Sequence, residues 1–155
     1  MTRHVLEDSV GLTPRLRSAL SLRTRLMELT QASHDAALAP AVPGGLAPQL
    51  RAALAARMAR ICQDAALADH YDRLAGVAPA WAEPGAEAGD PRLDAAIAYV
   101  DLVTRTPHAA GAEGIEALRR GGWEDGDIVR LAGLAAFVNY QLRVAAVLRA
   151  MGQTS

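Results

Sequence analysis

The sequence predicts an all-α protein, a bundle of about five to six helices, and three observations carry that prediction. Alanine, the strongest helix former, occurs 34 times in 155 residues, with 20 leucines beside it. Only 4% of residues are aromatic, and no stretch alternates apolar and polar residues over a useful strand length. Thr13-Pro14 and Asp90-Pro91 repeat one helix-start signature, a side-chain cap followed by proline at the first helical position.

Taken in order, the first helix opens at Thr13-Pro14. Leu16, Leu20, Leu26, Met27 and Leu29 then recur at spacings suited to one broad face, up to about Leu38. The run P-A-V-P-G-G, residues 40–45, breaks the chain. A second helix is expected over 48–75, stopped by Gly76. Residues 77–89 are rich in Pro, Gly and Ala, long for a connection without structure, so they either pack through Trp81 or stay mobile. The third helix starts at Asp90-Pro91, carries Leu93, Ile97, Val100 and Val103 or Thr104 as its stripe, and ends at Pro107. A short fourth helix over 112–120 stops at Gly121-Gly122. The last starts near Glu124, where Asp125 and Asp127 suit its positive end, and runs to about Gly152. Residues 1–155 thus read as a single domain, with 1–12 flexible and 77–90 a long loop.

Charge and cysteine content exclude several classes of function. Net charge is −1, and neither a basic stripe nor a base-stacking aromatic set is present, so nucleic-acid binding is not expected. One cysteine excludes an internal disulfide framework and any multi-cysteine zinc site. His34 with Asp35, and Asp69 with His70, are the only ligand-like pairs, and neither supplies the three or four donors a metal site needs. No metal and no cofactor is expected. No apolar run approaches the roughly 20 residues that cross a bilayer. The first twelve residues lack an apolar signal core, so no membrane association is expected and the chain reads as cytoplasmic.

Two helices are apolar on more than one side. In the second, Leu50, Leu54, Met58 and Ile61 form a stripe of large residues, and Ala52, Ala56, Ala59 and Ala66 form a far stripe of small ones. Gln63 and His70, seven apart and nearly eclipsed, fall together in the small stripe, with Cys62 to one side. The final helix sets Leu134, Phe137, Val144 and Leu148 on one side. Ala132, Ala135, Ala136 and Ala146 lie on the other, with Asn139 and Arg143 among them. A helix apolar nearly all round sits at the centre of its own fold or between subunits. Polar groups on such faces need partners, because burying one unpaired costs about 1–3 kcal/mol. Gln63, His70, Asn139 and Arg143 are therefore candidates for a small polar pocket or a subunit bridge.

Three stretches carry a further reading. Residues 93–108 read L-D-A-A-I-A-Y-V-D-L-V-T-R-T-P-H, followed by I-E-A-L-R-R-G-G-W-E-D-G-D-I-V and A-F-V-N-Y-Q-L-R. With the upstream segment ending D-H-Y-D-R-L, this order resembles the carboxymuconolactone decarboxylase superfamily, in its alkylhydroperoxidase-D-like, peroxidase-related branch. The resemblance implies an alkylhydroperoxidase-D-like helical bundle, a homo-oligomer (dimer, trimer or hexamer), and a peroxidase or antioxidant role as an oxidoreductase. The branch's reactive signature is glutamate, eleven residues, C-x-x-C, three residues, histidine. One thiolate attacks a peroxide, the second resolves the sulfenic acid, and the acid and imidazole move protons. Anchored on His70, that signature falls on Arg51, Gln63 and Ala66, so only the histidine is present. Cys62 is one residue out of register.

The expectation is therefore a degenerate site. Catalytic candidates are His70 and Cys62, with Gln63, Ala66, Asn139 and Arg143 lining a pocket for a small-molecule substrate. A two-cysteine cycle is impossible within one chain. Two rivals stand beside a peroxidase-type role. One is a cofactor-free acid–base enzyme of the decarboxylase or lactone type, in which His70 moves the proton and Arg143 or Arg51 holds a carboxylate. It predicts a closed pocket holding His70 and an arginine within hydrogen-bond reach. The other is a non-catalytic structural or partner subunit.

Overall fold

Nine consecutive residues, 51–59, are all buried, which marks the helix that carries them as the centre of the molecule. The computed structural model describes residues 4–153. Among them it forms eight α-helices and no strand: α1 (Val5–Val10), α2 (Pro14–Ser21), α3 (Thr24–Leu38), α4 (Pro48–Ile61), α5 (Ala65–Ala75), α6 (Pro91–Arg105), α7 (Ala112–Arg120) and α8 (Asp125–Gln153). The all-α class holds. The helix number is higher than expected because two expected helices are each broken in two and Val5–Val10 adds another, burying Leu6.

The first break separates α2 from α3. The Thr24 hydroxyl donates to the Ser21 carbonyl and the Ser21 hydroxyl to that of Ser18, so side chains satisfy the last carbonyls of α2 and the helix can stop. Its C-cap, Leu22, points into solvent. The break re-phases α3 relative to α2. The buried face of α3 is Met27, Thr30, His34 and Leu38, whereas Leu26 and Leu29 are exposed.

The second break corrects the expected 48–75 helix and matters more for function. Gln63 adopts φ +58, the left-handed conformation that closes a helix. The Asp64 N–H reaches back to the Ala59 carbonyl at 2.9 Å and the Gln63 N–H to that of Arg60 at 3.0 Å. Asp64 then caps α5, its side chain accepting from the Leu67 N–H at 3.1 Å. With the axis changed between them, Gln63 and His70 no longer share a helix face.

Two arginines inside the central helix show how the long connections are held. Burying a guanidinium is expensive unless every donor finds a partner. Arg57 meets both oxygens of Asp101 at 2.7 Å and places one nitrogen on the carbonyls of Trp81, Glu83 and Ala86. The 77–89 connection is therefore gripped from within rather than loose. Arg51 bonds the carbonyls of Leu46, Ala37 and Pro43 at 2.8–3.0 Å. Asp127 holds the same loop from the other side through the Gly45 N–H, at 2.9 Å.

The long helix α8 packs on α4, α3, α1 and α6, and Leu131, Leu134, Ala135, Val138 and Leu142 are buried along it. No span long enough for a membrane was expected from sequence. By length and composition α8 does qualify, with half of its most apolar window buried inside the fold.

Candidate functional site

The second break sends the two halves of the expected site to different neighbours. On α5, His70 and Tyr71 face α3. His70 Nε2 lies 3.0 Å from His34 Nε2, and His34 Nδ1 lies 2.9 Å from Asp35 Oδ1. Gln31 completes the chain, its amide nitrogen 2.8 Å from the same Asp35 oxygen and its amide oxygen accepting from the Val5 N–H at 2.9 Å. Gln31, His34 and Asp35 on α3, the start of α1 and His70 on α5 thus join in one line of hydrogen bonds.

Aromatic packing fixes the rings. The His34 ring stacks on Tyr71, 13° from parallel, and meets the edge of Phe137. Tyr71 is wholly buried and donates its hydroxyl to Gln141 Oε1 at 2.5 Å. Burial, with Asp64 adding, pushes its phenol well above the ordinary value, so Tyr71 is a fixed donor. His70 is lowered to about 4, by burial first, then by His34 and Arg73, with Asp8 of α1 opposing. At neutral pH its imidazole is uncharged.

The other half faces the end of α8. Cys62 is the C-cap of α4 and exposed. With Gln63, Asp64, Leu142, Arg143, Ala146 and Arg149 it lines an open cleft of about 250 Å³. Partial desolvation pushes the thiol pKa up; Arg143 and Arg105 oppose that, and Asp64 adds to it. A thiol held in its protonated form is a poor nucleophile. Asp64 binds Arg149 through both oxygens at 2.7 and 2.9 Å, locking the start of α5 to α8. Asn139 lies buried below, bonded to the Ala135 carbonyl, to Thr104 of α6 and to Arg143.

The expected residues therefore divide. Cys62, Gln63 and Arg143 come together, Asn139 braces Arg143 from beneath, and Ala66 is exposed on α5 outside that lining. His70 joins none of them: no hydrogen bond or electrostatic interaction links it to Cys62 among the described residues. Arg51 is fully engaged by carbonyls, and the guanidinium of Arg143 turns to Asn139. The expected pairing of His70 with an arginine is not formed. His34, Asp35, Gln31 and Tyr71 were not expected at a site. The spacing of Met27, Thr30, His34 and Leu38 could have shown His34 on a buried face, had α3 been read as starting afresh at Thr24. Among the described residues, no group of three or more His, Cys, Asp or Glu side chains is arranged to hold a metal.

The fold has solved counterparts. It matches an uncharacterized peroxidase-related protein from Silicibacter sp. TM1040 with a TM-score of 0.65 and 17% identity, over 92% of this chain and 78% of that one. It also matches an alkylhydroperoxidase AhpD core, an uncharacterized peroxidase-related protein from Ralstonia eutropha JMP134, with a TM-score of 0.57 and 24% identity, over 92% and 78%. The chain has the alkylhydroperoxidase-D-like fold. No family model matches the sequence and no curated protein is significantly similar to it, so the likeness rests on architecture.

Proposed function

We propose that this is a peroxidase-related, alkylhydroperoxidase-D-like protein of the carboxymuconolactone decarboxylase superfamily that has lost the two-thiol cycle. Its remaining chemistry is proton transfer centred on His70. The observation that carries this reading is the His70–His34–Asp35 line, an imidazole backed by a second imidazole and a carboxylate. Such an arrangement orients a general base or acid. Cys62, by contrast, has neither a second thiol nor the histidine within reach, and its surroundings disfavour the thiolate. The lowered pKa leaves His70 neutral at physiological pH, with one ring nitrogen open to accept a proton, while Arg51 and Arg143, the residues expected to hold a substrate carboxylate beside it, are bonded elsewhere.

Hydroperoxide turnover with a dithiol reductant tests the redox half. The expected rate is that of the uncatalysed background for both the wild type and Cys62→Ser. Turnover that depends on Cys62 overturns the loss of thiol chemistry.

A second reading, assembly into a homo-oligomer, is favoured by the outer face of α8. Leu26, Leu29, Phe137 and Tyr140 line one groove of about 260 Å³, and Tyr140, Val144 and Val147 continue into another of about 290 Å³. An apolar strip of this kind on an alanine-rich helix suits a second copy. Light scattering is expected to report a multiple of the 16.3 kDa chain mass. A clean monomer at micromolar concentration counts decisively against it.

A further inference from the structure

We infer that His34 and Asp35 are positioning residues for His70: they hold its ring in the tautomer protonated on Nε2, so that Nδ1 is the basic atom this site offers. The functional meaning rests on the acid–base reading; the tautomer does not.

Donor and acceptor accounting along the chain leaves one arrangement for a neutral pair. The Val5 N–H can only donate, so the Gln31 atom 2.9 Å away is the amide oxygen. The Gln31 amide nitrogen is thereby turned to Asp35 Oδ1, 2.8 Å away. A flipped amide would oppose donor to donor at one end and acceptor to acceptor at the other. The Asp35 carboxylate accepts only, so His34 Nδ1, 2.9 Å from it, carries a proton. The longer 3.4 Å approach of Gln31 Nε2 to His34 Nδ1 is then a side contact between two donors that share one carboxylate oxygen. A neutral imidazole has one N–H, so His34 Nε2 is a lone pair. His70 Nε2, 3.0 Å from that lone pair, must supply the proton between them. The remaining nitrogen of His70, Nδ1, is the acceptor.

The alternative is a charged His34 donating from both nitrogens. Its side chain is only 6% exposed and its one carboxylate, Asp35, is 65% exposed and screened by water. Only a neutral His34 leaves Nε2 a lone pair, and the Nε2-protonated tautomer of His70 is the one that pairs with it. Around His70 the other charged groups are Arg73 on its own helix and Asp8 on α1. They change how readily the ring charges. His34 is thus to His70 what the orienting carboxylate is to a catalytic histidine, with Asp35 one step further back.

Long-range proton–nitrogen correlation on the ¹⁵N-labelled protein at pH 7 reads both tautomers directly. The expected pattern is protonated Nδ1 on His34 and protonated Nε2 on His70. Asp35→Asn keeps an acceptor oxygen and is expected to preserve the pattern. Asp35→Ala, at an exposed position that spares the fold, is expected to turn His70 from a single tautomer into a mixture. A protonated Nδ1 on neutral His70 overturns the inference, as does a pattern unmoved by Asp35→Ala. Activity is a separate measurement: turnover of a carbon acid that His70→Gln leaves unchanged sinks the acid–base reading while the tautomer stands.

Discussion

Cys62 and His70 lie eight residues apart in sequence, yet the fold gives them opposite surroundings. His70 meets α3, through a ring that is partly buried and hydrogen-bonded onward to the stacked ring of His34. Cys62 meets the end of α8, in an open cleft where its nearest cation, Arg143, is already held by Asn139. A single residue in left-handed conformation, Gln63, stands between the two environments. The difference teaches that side chains close in sequence answer to the elements their own helices pack against, not to one another. Here Asp64 caps a new helix and ties it to Arg149, so each group answers to its own partners.

The harshest way to break the comparison is to remove the residue that enforces it. Asp64→Ala deletes both the cap of α5 and the carboxylate of the Arg149 pair. A lost cap costs about 1 kcal/mol, and unpairing a partly buried arginine adds a similar amount after allowance for solvent. The expected loss is about 2–3 kcal/mol in urea unfolding. Retention of full stability would mean that Gln63 alone sets the break.

Acid titration probes the histidine half. His70 is depressed to about 4 from an ordinary 6.5, so the unfolded chain binds its proton first. Its contribution to stability is present above about 6.5 and is lost as pH falls through about 4. Because the ring is only partly buried, screening reduces the effect to about 1–2 kcal/mol. His70→Gln is expected to flatten the urea midpoint between pH 6.5 and 4, and His34→Ala to move the His70 titration upward by removing one of its lowering influences. An unchanged slope in His70→Gln would show that the pair does not carry the acid sensitivity.

Much of this architecture was legible in the sequence, and the parts that were not share one cause. Helix starts written in local chemistry, Thr13-Pro14 and Asp90-Pro91, fall where expected, with both cap side chains bonded to the third residue of their helices. The doubly apolar pattern of the 48–75 segment left open a place at the centre of the fold or between subunits, and its first half, α4, lies at the centre. Both breaks escaped notice because neither contains the usual glycine or proline. One uses Gln63 in a left-handed turn, and the other uses hydroxyls of Ser21 and Thr24 to finish α2. Each rotates the next helix, so an error in one residue's conformation became an error in which side chains meet. Cys62, Gln63 and Arg143 were expected around His70; the structure gathers those three beside α8 and turns His70 toward α3. His34 was missed because its partnership with His70 spans 36 residues and depends on both breaks.

The smallest predicted effect sharpens the cysteine half. Cys62 is exposed, so a thiol reagent reaches it, but desolvation holds its pKa above the ordinary 9.0 against the pull of Arg143. Only the thiolate reacts, so the labelling rate is expected to climb with pH and not level off before about pH 9. Arg143→Ala removes the larger of the two opposing cations, and the rate at about pH 7.5 is expected to fall by a few-fold. His70→Gln is expected to leave it within experimental error, because no interaction connects the two groups. A drop with His70→Gln equal to that with Arg143→Ala would place thiol and imidazole in one site after all. The separation enforced at Gln63 and Asp64 would then be a property of the static fold and not of the protein in solution, where α4 and α5 would have to realign on the timescale of the reaction.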